Sequence, residues 1–353
     1  MSELENALRK RASELLSGGE VKRVAGWVKG EFIHDPSPAT FENDEQLKNF
    51  VYNDYCGANL SKYLINESKK EGKTAVFLKP CDTYSFNELV KEHRVDREKI
   101  YVIGVECQGK LDNYKIEKLG VTGVNSESYS GDKAIFEGLS GKAEFDKGEV
   151  LLEKCLTCKG KKFMVKDEEI VLHEMPETSS DRFSKVAELE NMTADERFAF
   201  WKGELSRCIR CNACRNVCPA CTCVKCVFDN QQSGVAAKAN DDEFEEQLYH
   251  IIRAFHVAGR CTDCGECSRV CPERIPLHLL NRKFIKDINA LYGDFRRAKP
   301  RTAKLRLPLT PKKTPNLPRR SRKSEVKYDK DKKIRRESVF RRDSKKLSAV
   351  YTA

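Results

Sequence analysis

The chain has 353 residues, 39% of them hydrophobic and 34% charged, with a mean hydropathy of −0.62. That balance excludes one large apolar core running the whole length and leaves room for two domains with polar extensions. The best apolar run, Ile100-Tyr-Val-Ile-Gly-Val105, is far shorter than the roughly 20 residues that span a bilayer, so no membrane span is expected.

The net charge of +11 is unevenly placed. From Arg296 onward there are 22 Lys and Arg against 5 Asp and Glu, a local balance of +17; the rest carries 43 against 49, or −6. The opening stretch, Met1 to Lys10, mixes acids and bases with no apolar segment behind it, unlike a secretory signal. Sixteen cysteines in such a chain read as metal ligands kept reduced in a cytoplasmic, anaerobic setting, and not as a disulfide scaffold.

Taken in order, Leu4 to Leu16 has apolar residues at helical spacing, and Gly18-Gly19 stops it. Val21 to Lys29 and Phe32-Ile33 read as extended, and a second helix is expected from about Asn59 to Gly72. Then come a strand Thr74 to Leu78, a turn Lys79-Pro80-Cys81, a helix Thr83 to His93 and a strand Ile100 to Val105. This is the strand-helix-strand unit of a parallel sheet covered by helices. Cys81 follows the first strand and Cys107 the second, at the carboxyl edge where open α/β sheets bind ligands. After an expected strand Val150 to Lys154 comes Cys155-Leu-Thr-Cys158. Cys81, Cys107, Cys155 and Cys158 are candidates for one 4Fe-4S cluster; the alternative is that Cys81 and Cys107 are buried apolar thiols.

A polar linker from Ser180 leads into a helix opened by the capping box Thr193-Ala-Asp-Glu196 and running to about Leu205, with Phe198, Phe200 and Trp201 expected in the core. Next is Cys208-Ile-Arg-Cys211-Asn-Ala-Cys214-Arg-Asn-Val-Cys218-Pro219, repeated as Cys261-Thr-Asp-Cys264-Gly-Glu-Cys267-Ser-Arg-Val-Cys271-Pro272. Each half is the C-x2-C-x2-C-x3-C-P run in which three thiolates hold one 4Fe-4S cluster and the fourth reaches the other. Cys208, Cys211, Cys214 and Cys271 are therefore expected to hold one cluster and Cys261, Cys264, Cys267 and Cys218 a second. Structural zinc uses paired knuckles and has no need of a triplet followed by Cys-Pro.

Between the halves lie Cys221-Thr-Cys223-Val-Lys-Cys226 and an amphipathic helix from Asp242 to Ala258, with Phe244, Leu248, Ile251, Ile252 and Phe255 on its apolar side. The wide separation fits an α-helical ferredoxin. Cys56, Cys221, Cys223 and Cys226 are left over, and serve either a fourth cluster or other metal, or as structural thiols. The six histidines form no ligand pattern and read as surface or packing residues. A last helix runs from Ile275 to Tyr292.

The segments Lys79-Pro-Cys81-Asp, Val102-Ile-Gly-Val-Glu-Cys107-Gln-Gly and Lys154-Cys-Leu-Thr-Cys158-Lys resemble the beta subunits of deazaflavin-dependent hydrogenases and dehydrogenases, together with formate dehydrogenase beta subunits. The resemblance covers roughly residues 50 to 280. It implies that the third quartet holds a cluster exchanging electrons with a flavin or another subunit. No Gly-rich phosphate loop marks a site for FAD or deazaflavin.

The expected architecture is an α/β domain over 1–180, an α-helical ferredoxin domain over 181–295, and a disordered basic tail over 296–353 that is either solvated or straps an acidic partner subunit. The tail lacks a nucleic-acid-binding fold or an aromatic platform, so nucleic acid is not an expected partner. No residues read as a catalytic acid, base or nucleophile. The expected function is electron transfer within a multisubunit oxidoreductase, of formate dehydrogenase, hydrogenase or heterodisulfide-reductase-like type. The alternative is a flavin- or deazaflavin-linked subunit that transfers hydride in the α/β domain.

Overall fold

The computed structural model describes residues 2–175, 181–230, 232 and 243–292. The basic stretch 296–353, expected as a disordered tail and partner strap, lies outside them. The N-terminal helix Glu3–Ser17 starts on Ser2, whose hydroxyl accepts from the Glu5 amide, and buries Leu8, Ala12 and Leu15.

Eight strands follow among the described residues: β1 (Arg23–Val28), β2 (Ser37–Phe41), β3 (Thr74–Leu78), β4 (Ile100–Val105), β5 (Ser126–Ser130), β6 (Lys133–Gly138), β7 (Gly141–Asp146) and β8 (Glu168–Ile170). Five form a sheet in the order β2-β1-β3-β4-β8. Its central strands β1, β3 and β4 are almost wholly buried, as strands covered on both faces must be. β1, β3, β4 and β8 run parallel, but β2 pairs antiparallel with β1, so the expected parallel sheet is a mixed one. β2 carries Pro38 opposite Trp27, and an edge strand is where a residue without an N–H is tolerated.

β5, β6 and β7 make a separate antiparallel meander over a second core that includes Leu111, Ile116, Val124, Phe136 and Val150. Nothing in Ser126-Glu-Ser-Tyr-Ser130 alternates apolar with polar, which hides this sheet in the sequence. The strand expected at Val150 to Lys154 is instead two helical turns, Lys147–Val150 and Glu153–Leu156, the first fixed by an Asp146/Glu149 capping box. The helix expected from Asn59 to Gly72 shrinks to Leu60–Tyr63 and Leu64–Glu67. Phe32-Ile33 belongs to a turn in which the Phe32 amide donates to Asp35, not to a strand.

The second half is helical. Ser184–Asn191, Ala194–Leu205, Glu243–Val257 and Leu277–Tyr292 surround the short turns Ala213–Asn216 and Glu266–Arg269. The Thr193/Glu196 capping box forms as the spacing predicts. Phe200 and Trp201 pack against the cluster of Val186, Leu189 and Leu279, whereas Phe198 is exposed. The buried Glu266 accepts the Asn59 amide at 3.1 Å, and Ser85 Oγ meets Thr262 Oγ1 at 2.8 Å. These bonds pin the helical half onto the sheet.

Candidate metal centres

In each ferredoxin half the same backbone device curls the first three cysteines into a claw. Arg210 (φ 50°) and Asn212 (φ 63°) are left-handed in the first half, and Asp263 (φ 54°) and Gly265 (φ 68°) take the matching places in the second. Left-handed residues interrupt any helix, so successive thiols turn to one side. The Arg210 amide already points at Cys208 Sγ, 3.4 Å away. A Cβ on Gly265 would fall 2.5 Å from Cβ of Lys154, so that position needs glycine for space as well as for its φ.

The result is two cavities. One is lined by Cys208, Cys211, Cys214 and Cys271, the other by Cys218, Cys261, Cys264 and Cys267. Each takes three thiols from one half and the fourth from the other, which is the crossing the spacing predicts. Burial pushes the Cys208, Cys261, Cys264 and Cys267 thiols up to about 12. A ligand thiolate in these pockets is therefore favoured only by bound positive charge, and metal loading releases protons.

Four cysteine thiols around each cavity make the donor set that a 4Fe-4S cluster takes. Among the described residues, the one group of Cys, His, Asp and Glu ligand atoms lying within 4.8 Å of one another is Cys208, Glu246 and His250. Neither quartet is drawn in as tightly as four Zn–S bonds of about 2.3 Å require. The Cys208 trio is not a closed site either, because Arg210 Nε donates to both Glu246 oxygens, at 2.7 and 2.8 Å.

His250 is a site residue that the sequence reading missed. Burial, and then Arg253 and Arg210, pull it down to about 3, so the imidazole is neutral, with Nε2 at 3.2 Å from Cys208 Sγ. The cause of the miss is general to this helix. Phe244, Ile251 and Phe255 of the expected apolar face are exposed, and Glu246, Tyr249, His250 and Arg253 are buried against the cavities. Arg210 and Asn212 offer polar groups there that need partners, and they find Glu246 and the Tyr249 hydroxyl, the latter at 3.0 Å.

The sheet-borne quartet is assembled differently. Cys81 lies in the first turn of the helix Pro80–Lys91, which begins at Pro80 and so earlier than expected. Cys107 is two residues past β4, and Cys155 and Cys158 come from the Glu153–Leu156 turn and the loop after it. The structure brings them together: Cys107 acts electrostatically on both Cys81 and Cys155, and Cys158 on Cys155. Burial raises Cys81 and pushes Cys155 up to about 11. Gly104 in β4 lets this loop close, since a Cβ there would meet the Phe163 ring at 2.9 Å.

Lys154 and Lys159 stand between this quartet and the second ferredoxin cavity. Lys154 lies near Cys81 and Cys155 and pairs with Glu266, while Lys159 lies near Cys81 and Cys264 and donates to the Thr262 carbonyl. Against the burial that would raise it, Lys154 and Arg269 hold the Glu266 carboxyl well below the usual range.

Of the leftover thiols, Cys56 is fully buried in the sheet core, within reach of Val51 O and Asn53 Oδ1. Cys221, Cys223 and Cys226 instead share the wall of a cavity of about 980 Å³ with Lys62, Tyr63 and Arg260. Cys221 hydrogen-bonds Cys218, and this bond, with Arg253, draws Cys218 down to about 5. No helix of the described residues is long and apolar enough to cross a membrane.

Residues 204–275 match the model of a 4Fe-4S dicluster domain. The F420-dependent formate dehydrogenase subunit beta of Methanocaldococcus jannaschii is 24% identical over 334 residues, covering 77% of this chain and 86% of that one. The F420-dependent formate dehydrogenase 1 subunit beta of Methanococcus maripaludis is 23% identical over 61% of this chain and 71% of that one. A chain of the F420-reducing [NiFe] hydrogenase complex from Methanosarcina barkeri superposes with a TM-score of 0.33 and 12% identity over 44% of this chain and 62% of that one. The chain is thus similar along most of its length to F420-dependent formate dehydrogenase beta subunits, and its helical half matches a 4Fe-4S dicluster domain.

Proposed function

We propose that this chain is the iron-sulfur electron-transfer subunit of a multisubunit cytoplasmic oxidoreductase, of the formate dehydrogenase, hydrogenase or heterodisulfide-reductase-like kind. Residues 1–180 would carry one 4Fe-4S cluster on Cys81, Cys107, Cys155 and Cys158. Residues 181–295 would carry two more, on Cys208, Cys211, Cys214 and Cys271 and on Cys218, Cys261, Cys264 and Cys267. The basic stretch 296–353 would hold a partner subunit. The observation that carries the reading is the crossing of the ferredoxin halves, in which two cavities each gather four cysteines.

When bound, the clusters supply one-electron storage; the protein supplies position, burial and charge. The second ferredoxin quartet has the other two as neighbours. Lys159 faces Cys81 on one side and Cys264 on the other, and Cys214 lies within electrostatic reach of Cys218 and Cys267. The second ferredoxin site would then be the middle station, between the sheet-borne site and the Cys208 site. Asn281 Nδ2 lies 3.7 Å from Cys267 Sγ and His250 Nε2 faces Cys208 Sγ, both placed to stabilise thiolate sulfur.

The cavity of about 980 Å³ supports a second reading, a flavin- or deazaflavin-linked subunit, because aromatic and cationic side chains line it beside Cys218. Anoxic purification separates the two. Iron and acid-labile sulfide near twelve per chain, with dehydrogenase or hydrogenase subunits co-purifying and no extractable flavin, supports the wire alone. Stoichiometric flavin fluorescence after extraction establishes the second reading, and an iron-free, folded chain ends both.

A further inference from the structure

The inward face of the helix Glu243–Val257 carries a buried charge with no carboxylate partner among the described residues. Arg253 is 4% exposed, and among the described residues no carboxylate pairs with it. Its Nη2 donates to the Cys214 carbonyl at 3.1 Å, and its Nε has no partner. Other arginines around the ferredoxin cavities are neutralised: Arg210 by Glu246 at 2.7 Å, Arg269 by Glu266 at 2.8 Å and Arg282 by Asp263 at 2.9 Å. A lone guanidinium in such a place is strongly unfavourable unless negative charge lies close by.

The negative groups within its reach are sulfurs. Cys214 belongs to the first ferredoxin quartet, Cys218 and Cys267 to the second, and Cys221 lies beside them; all four act on Arg253. Lys62 differs, because it already donates to the Arg215 and Cys221 carbonyls. Arg253 is both unpaired among the described residues and shared.

We propose that Arg253 is the common counter-charge of the two ferredoxin clusters, set between the quartets so that one guanidinium favours the reduced state of both. The inference rests on the reading above that each quartet holds a 4Fe-4S cluster. Reduction adds one electron to a cluster and makes it more negative, with no bond formed or broken. A fixed positive charge nearby stabilises that state and raises the potential. Because a guanidinium stays protonated in proteins, the effect is present at any working pH. A single charge facing both sites shifts their potentials together, which keeps the step between them nearly level.

The test is a redox titration of the full, anoxically purified chain, followed by electron paramagnetic resonance, with iron counted in every sample. Arg253→Gln keeps a donor for the Cys214 carbonyl and removes the charge. It is expected to keep its iron and to lower the reduced-to-oxidised ratio of both ferredoxin clusters at least tenfold at a fixed applied potential, about 59 mV for one electron. Arg253→Lys keeps the charge and should titrate close to wild type, a rescue that a packing role would not give. Full iron with unshifted potentials in Arg253→Gln overturns the proposal. Should Arg253→Gln fail to load iron, Arg253→Lys decides: near-wild-type potentials uphold it, and a tenfold drop in both clusters overturns it. Wild-type protein lacking the iron for two ferredoxin clusters would be a failure of the underlying reading, visible before any variant is titrated.

Discussion

The ferredoxin quartets and the sheet-edge quartet gather four thiols by opposite routes. Each ferredoxin site takes three thiols from one short run, bent by paired left-handed residues, and needs only one cysteine from elsewhere. The sheet-edge site has no such run. It draws on the first turn of the helix after β3, on the loop after β4 and on the Glu153–Leu156 turn, and so exists only once the parallel pairing of β3 with β4 and the closing loop are in place. One kind of site is written into local backbone conformation, and the other is a product of the tertiary fold.

That difference can be broken experimentally, and the largest effect is on metal. Cys264→Ala should remove about four irons per chain and leave the sheet-edge site loaded, as read by iron and acid-labile sulfide analysis. Simultaneous loss of the sheet-edge iron would mean that the two regions are not independent.

Next in size is the junction between them. Glu266 is fully buried and pairs with Lys154 from the sheet side and Arg269 from its own helix. Glu266→Gln leaves two half-buried cations under-compensated and should destabilise the chain by about 3–5 kcal/mol in denaturant unfolding. A change under about 1 kcal/mol would show that the halves are held together elsewhere.

The claw geometry predicts a smaller cost. Gly265→Ala places a Cβ against Lys154 at positive φ and should cost about 1–3 kcal/mol. Gly148→Ala, where a Cβ meets nothing within 4 Å, should be neutral or slightly stabilising. Equal effects of the two would remove the argument from backbone conformation.

The mildest effect is on pH. Burial, and then Arg282, lower His278 from 6.5 to about 4, so the unfolded chain takes the proton first as the pH falls. Its contribution to stability is complete above pH 6.5 and is lost progressively toward pH 4. His278→Gln should flatten the unfolding midpoint over that window, and an unchanged slope would place the acid sensitivity elsewhere.

The same contrast governs what could be read in the sequence. The eight ferredoxin cysteines and their crossing were legible because the spacing is itself the geometry. Cys81 and Cys107 were legible through topology, as thiols at the ends of two apolar strands, and the resemblance of their flanking segments to the beta subunits pointed the same way. The meander β5-β6-β7 was hidden because its first strand carries no alternation, and the antiparallel β2 because its edge position depends on pairing across the sheet. Periodicity found the helix Glu243–Val257 but misjudged its inward face. Its inward face is set by polar groups of the cysteine loop that require partners, which an apolar count along one helix does not register.

The central claim is that a third cluster stands at the sheet edge next to the ferredoxin pair, and it is tested most directly by counting iron in two proteins. Wild-type chain purified without oxygen should hold about twelve irons, and Cys81→Ala about eight, with the ferredoxin pair still reducible by dithionite. About eight irons in both proteins would contradict it.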